Sequence, residues 1–98
     1  MADVRILKLK NGEELIASTV VTRDGTYSLT NPLLIAMGEQ NLVFIPYMPY
    51  AKIAEDGLVI RDTDVLFICY PQDALVDDYY RATSKVVVPK RQRPLIVQ

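Results

Sequence analysis

"GLVIRDTDV", residues 57–65, is the stretch on which the fold turns. It reads as a strand, a tight charged corner and the first residue of a further strand, because β-branched and apolar residues flank a run of four polar ones. Residues 65–70, "VLFICY", continue that second strand. Arg61, in the corner, is either a solvated turn residue or part of a binding loop.

Outward from this corner the chain keeps repeating short strands and close turns. "VRILKLK", residues 4–10, alternates, with Leu7 and Leu9 on one side and Lys8 and Lys10 on the other, the period of a half-buried strand. Asn11 and Gly12 tolerate positive φ and mark a hairpin before "ELIASTVVT". "RDG", residues 23–25, is the next turn, and "TYSLTNPLLIAM" the next strand. Its Pro32 cannot donate to a ladder, which implies a bend, bulge or edge there. "GEQN", residues 38–41, closes another hairpin before "LVFIPYMPY", a strand with two prolines. The segment "AKIAEDG" reads as a loop leading back to the opening stretch. Five or six short strands with close turns point to a small antiparallel barrel or sandwich, not to parallel crossovers.

After Pro71 the period changes. Leu75, Val76, Tyr79 and Tyr80 fall on one helical face, Pro71 suits the first helical position, and Asp73 stands near the favourable end of the dipole. The pattern predicts a helix over about residues 72–83, after strands that all lie within about residues 3–70. "KVVVP", residues 85–89, has the composition of a last strand, and "KRQRPLIVQ", residues 90–98, is a basic segment with an apolar end. The chain is expected to form one domain, with residues 85–98 as a basic tail.

Composition narrows the function classes. Ninety-eight residues, half of them apolar, support one modest core and leave no room for a multidomain enzyme. Eleven basic and twelve acidic residues leave a net charge of -1, so any nucleic-acid contact must be local. Cys69 is the single cysteine; it stands in an apolar run and is expected to be buried, and a reducing compartment is the simplest setting. No apolar run approaches the ~20 residues of a membrane helix, so a soluble, cytoplasmic protein with no membrane partner is expected. There is no histidine, and the acidic pairs Glu13–Glu14 and Asp77–Asp78 are adjacent in sequence, so their carboxylates diverge. The four glycines are scattered singly, without a phosphate loop. Neither an enzyme, a cofactor nor a metal site is expected.

Two spaced motifs resemble the Sm and Sm-like (LSm) family. Its first motif places a leucine three residues before a turn glycine, a small residue five after it, an aspartate twelve after it and an asparagine four further on. Leu9, Gly12, Ala17 and Asp24 stand at those spacings, with Ala17 where the family has glycine and Ser28 where it has asparagine. The second motif, isoleucine, arginine, glycine, two variable residues and valine or isoleucine, is matched by "IRDTDV" at Ile60, Arg61 and Val65, with Asp62 in place of glycine. A helix after the strands and a long segment between the motifs, "FIPYMPYAKIAEDG", are similar to the small Sm-like proteins of tailed phages, including those of cyanobacteria.

The resemblance implies a mainly β fold: a strongly bent, five-stranded antiparallel open barrel of the Sm-like (SH3-like) kind with one helix after it. It implies a homo-oligomeric ring in which the fourth strand of one subunit pairs with the fifth of the next; "NLVFI" and "DVLFICY" are the candidate strands, and five, six or seven subunits all stay open. It implies single-stranded RNA, or DNA, as partner, in a bacterial or phage-infected cytoplasm. The site it implies consists of Asp24, Thr26 at the stacking position, Ser28 at the base-edge position, Arg61 and Asp62. Arg61 either stacks on a base or meets a phosphate, or else pairs with Asp62, Asp64 or Asp24. Lys90, Arg91 and Arg93 are the only basic cluster and the candidate phosphate contacts. A second reading is a non-catalytic assembly or adaptor module that keeps the ring and contacts a protein through Tyr47, Met48 and Tyr50, because prolines and tyrosines suit a rigid interface.

Overall fold

The computed structural model describes residues 3–87 of the chain. Six strands are present: β1 (Asp3–Leu9), β2 (Glu14–Val21), β3 (Thr26–Met37), β4 (Leu42–Pro46), β5 (Leu58–Arg61) and β6 (Val65–Cys69). A single helical turn, α1 (Ile53–Asp56), precedes β5, a 3-10 turn (Asp62–Asp64) joins β5 to β6, and the long helix α2 (Asp73–Val87) follows. The sheet is antiparallel throughout, ordered β4-β3-β2-β1-β6, with β5 also paired to β3.

The chain is thus mainly β with one long helix after the strands, and of the five or six strands expected from the turn spacing it forms six, one more than the resemblance implies. The reason is local. β4 pairs with the second part of β3, Leu33–Met37, and β5 with its first part, Thr26–Leu29. Between them the chain leaves the sheet at Pro46, whose ring cannot donate to the ladder, and returns at Leu58. Within that excursion the expected loop contains α1, which buries Ile53 and ends at Gly57. Gly57 has φ 75°, and a Cβ there would lie 3.2 Å from Leu29 O, so only glycine fits without strain.

Pro32 bends β3 as its chemistry requires. Ser18 opposes Thr30 and Ile16 opposes Leu33, so Asn31 and Pro32 together face Ala17, and Asn31 adopts φ 51°. This is a bulge. The carbonyls and amide it frees from the ladder meet Tyr79 of α2: its hydroxyl lies 3.0 Å from both Thr30 O and Asn31 O and accepts the Ser18 N–H at 3.1 Å. Burial pushes the Tyr79 hydroxyl pKa up, so it stays protonated and able to donate.

The sheet is apolar on both faces. On one face Leu7, Leu15, Ala17 and Leu29 are buried, with Leu9, Tyr27, Leu34, Leu58, Ile60, Val65 and Ile68 packed around them. Side chains from β5 and from β6 share this cluster, so the sheet curls around it. On the opposite face Val4, Ile16 and Leu33 pack with Ile35 and Phe44 against Leu75, Val76, Tyr79 and Ala82 of α2.

Several expectations change at this level. Tyr80 is exposed and Ala82 completes the helical stripe, because residues one apart on a helix diverge by about 100° and the stripe is centred on Tyr79. Gln72 O accepts the first N–H groups of α2, from Leu75 at 2.9 Å and Val76 at 3.1 Å, so Pro71 leads into the helix and does not open it. Residues 85–87 belong to α2, not to a strand or tail, since no proline interrupts the helix between Asp73 and Val87. Cys69 is exposed: β6 ends the sheet, and Cys69 lies on it with one neighbouring strand, opposite Ile6.

Candidate nucleic-acid interface

Two loops meet at one rim of the sheet. The first joins β2 to β3, where the Thr22 N–H donates to Thr26 O at 3.0 Å and Gly25 takes φ 85° to complete the turn. The second is the 3-10 turn from β5 to β6. Its start is held by the Asp62 N–H, which donates to Gly25 O at 2.9 Å, and its end by the Lys10 N–H, which donates to Asp64 O at 3.0 Å. The turn therefore crosses from the β3 side of the sheet to the β1 side.

Asp24, Thr26, Arg61 and Asp62 are brought together at this rim. Thr26 is the register partner of Arg61, so their side chains share a face. The Asp62 carboxylate lies over Gly25, where an added Cβ would stand 3.5 Å from its Oδ2. Asp62 therefore occupies space that glycine at the same position would leave open. Ser28 lies two residues along β3 on the Thr26 face, paired to Val20 on one side and Val59 on the other, and both valines are exposed. Tyr27 points to the opposite face and packs in the core with Ile60, as its alternation predicts.

Asp24 is the ordered acid of the rim. The hydroxyl of Thr22 and that of Thr26, the latter at 2.8 Å, both donate to its Oδ1. These two bonds, Thr22 first, hold its pKa below the usual aspartate value. Thr22 was no candidate from the sequence, although Thr22, Asp24 and Thr26 at every second position are the spacing from which side-chain-capped turns are built.

Arg61 is exposed and forms no ion pair among the described residues, where the sequence left pairing with Asp62, Asp64 or Asp24 as an alternative. Its guanidinium is therefore available at the rim as a flat donor. Arg23 and Lys10 are exposed on the same two loops and the adjoining hairpin, so three cations and the three acids Asp24, Asp62 and Asp64 share the region. Lys10 was missed because alternation marks it only as solvent-facing. Lys90, Arg91 and Arg93 lie outside the described residues.

The segment expected to contact a protein divides in two. Tyr47 packs against the inner cluster and donates to Glu13 Oε1 at 2.9 Å, whereas Tyr50 is 85% exposed. Met48, at φ 49°, lines an apolar cleft. At the rim itself, hydroxyls, carboxylates and a guanidinium suit non-covalent recognition of a polar, planar partner. No protein-family model matches the chain, and no curated protein matches it.

Proposed function

We propose that this chain is a non-catalytic Sm-like protein of the bacterial or phage-infected cytoplasm, an open bent barrel that assembles into a ring and holds single-stranded RNA, or DNA, at the rim built from its two motifs. The observation that carries the reading is the pairing of Thr26 with Arg61 together with the Asp62–Gly25 hydrogen bond. Thr26, two residues after the first-motif aspartate Asp24, and Arg61 of the second motif, 35 apart in sequence, thereby become neighbours. The pairing of β4 and β5 with one bent β3 is consistent with a single barrel strand interrupted by the 47–57 excursion.

Ring assembly is supported by the edges. β4 and β6 are the two ends of the strand order, and both carry exposed apolar side chains: Leu42, Val43 and Ile45 on the first, Leu66 and Phe67 on the second, with Tyr70 just beyond. A free edge with apolar side chains is an open template for another strand. Because the two edges differ, their mutual pairing is head-to-tail and closes as a ring when the rotation permits. Five to seven near-neutral subunits would then repeat Arg61 around one opening, and repetition raises avidity.

Fluorescence anisotropy with short single-stranded RNA and DNA across a salt series tests the binding. Stacking of a base on an aromatic side chain contributes ~1–3 kcal/mol, and with a comparable contribution from the guanidinium plane Arg61→Ala is expected to weaken binding by roughly 5- to 150-fold. Absence of salt-dependent binding at tens of micromolar, or an unchanged Arg61→Ala, would remove the nucleic-acid reading. The Asp62 carboxylate over Gly25 favours a second reading, a ring-forming adaptor whose nucleic-acid site is closed and whose partner surface includes Tyr50. Pull-down from the host with Tyr50→Ala separates the two, since unchanged partners would count against that surface.

A further inference from the structure

On the outer face of the sheet, Tyr79 of α2 reaches the row of Ser18 and Thr30, where its hydroxyl meets the Ser18 N–H and Thr30 O. One row further on, Val20, Ser28 and Val59 are register partners across β2, β3 and β5, so their side chains stand abreast on that same face. Both valines are exposed, Val20 at 38% and Val59 at 63%, and Ser28 sits between them. The next row holds Thr26 and Arg61, two residues along their strands and on the same face. The hydroxyls of Thr22 and Thr26 are taken up by Asp24, which leaves Ser28 to present the next hydroxyl beside Arg61.

We propose, resting on the nucleic-acid reading above, that Ser28 and Val59 read the O4 and 5-methyl edge of a thymine held by the Arg61 guanidinium, so that the partner is thymine-bearing single-stranded DNA. On thymine the O4 acceptor and the 5-methyl group are adjacent on one edge, as a hydroxyl and an isopropyl group are adjacent here on strands ~4.8 Å apart. Ser28 donates to O4, and the methyl lies on Val59. Arg61 stands two residues from Val59 on the same strand, about 7 Å along it, which places both against one nucleotide. Uracil keeps the O4 acceptor but offers no methyl, and cytosine carries an amino group in place of O4. A protein partner fits this row poorly, because two valines fall far short of the ~800 Å² that each side of a stable interface buries. A flat base needs no more. Arg61, without an ion pair among the described residues, complements the phosphate that such a base brings with it.

Fluorescence anisotropy with single-stranded oligodeoxythymidylate and oligodeoxyuridylate of equal length isolates the methyl, because the two differ only there. Burying one methyl on Val59 is expected to make the thymidylate bind about fourfold more tightly. In Val59→Thr, which keeps the branched shape and replaces one methyl by a hydroxyl, the ratio is expected to fall towards one. Equal affinities of the two oligonucleotides for the native chain would overturn the proposal while leaving the nucleic-acid reading intact. A preference that survives Val59→Thr would overturn it as well, since the methyl would then be read elsewhere. Binding of neither would remove that reading and the proposal together. The native comparison decides even if the variant folds poorly.

Discussion

Replacing Tyr79 with Phe removes one oxygen, yet that oxygen lies within hydrogen-bond distance of Ser18 N, Thr30 O and Asn31 O across the bulge of β3. Leaving part-buried backbone groups unsatisfied costs about 1–3 kcal/mol, so Tyr79→Phe is expected to lower stability by that amount in urea denaturation with little change in slope. An effect below about 0.5 kcal/mol, the size typical of a plain surface substitution, would mean that the hydroxyl does not repair the bulge. Asp24 is the second residue-scale case. Its folded pKa lies below its unfolded value, so the order it brings to the β2–β3 loop is present above the usual aspartate range near ~3.9 and is lost as pH falls through the lowered folded value. Thr22→Val removes the first donor and should move the Asp24 pKa up towards the usual range in an NMR titration of its carboxyl carbon. An unmoved pKa would contradict that cause. That the Asp24 loop and the Arg61 turn stand together was legible because motif spacing marks both; the parts of Thr22 and Lys10 in these turns were not, because hydrogen-bonding partners across a turn leave no apolar pattern in the sequence.

At the scale of elements, the hairpins at Asn11–Gly12 and Gly38–Asn41 were legible from turn chemistry, and the structure places both turns there. The break between β4 and β5 was only half legible: the prolines announced an irregularity, but that both pieces pair with one β3 depends on contacts distant in sequence. Cys69 shows the same limit from the other side. "VLFICY" has the composition of a buried strand, yet β6 ends the sheet, and an apolar run cannot reveal whether a neighbour covers it. Phe67, 58% exposed, and Leu66 leave apolar surface on this edge. If the proposed ring forms through this edge, Phe67→Lys places a charge in it and is expected to shift the sedimenting species towards monomer, with far-ultraviolet circular dichroism unchanged. An oligomer that persists through this substitution would place the contact elsewhere.

For the whole molecule, two apolar faces on one sheet explain the order of its parts. The inner face closes when the sheet curls around Leu7, Leu15, Ala17 and Leu29, and the outer face is covered by α2 through Leu75, Val76, Tyr79 and Ala82. Among the described residues β4 and β6 stand at the ends of the strand order, and Thr26, Arg61 and Asp62 meet at one rim. Among the described residues no helix is long and apolar enough to cross a membrane. The copy number of the proposed ring is illegible in the sequence, because a closing rotation is a property of two surfaces together and of no residue spacing. Native mass spectrometry measures that rotation's consequence directly. The proposed ring predicts a particle of five to seven copies of the 11.1 kDa chain that gains mass on adding a single-stranded oligonucleotide. A particle of 11.1 kDa at micromolar concentration, unchanged by the oligonucleotide, would contradict it.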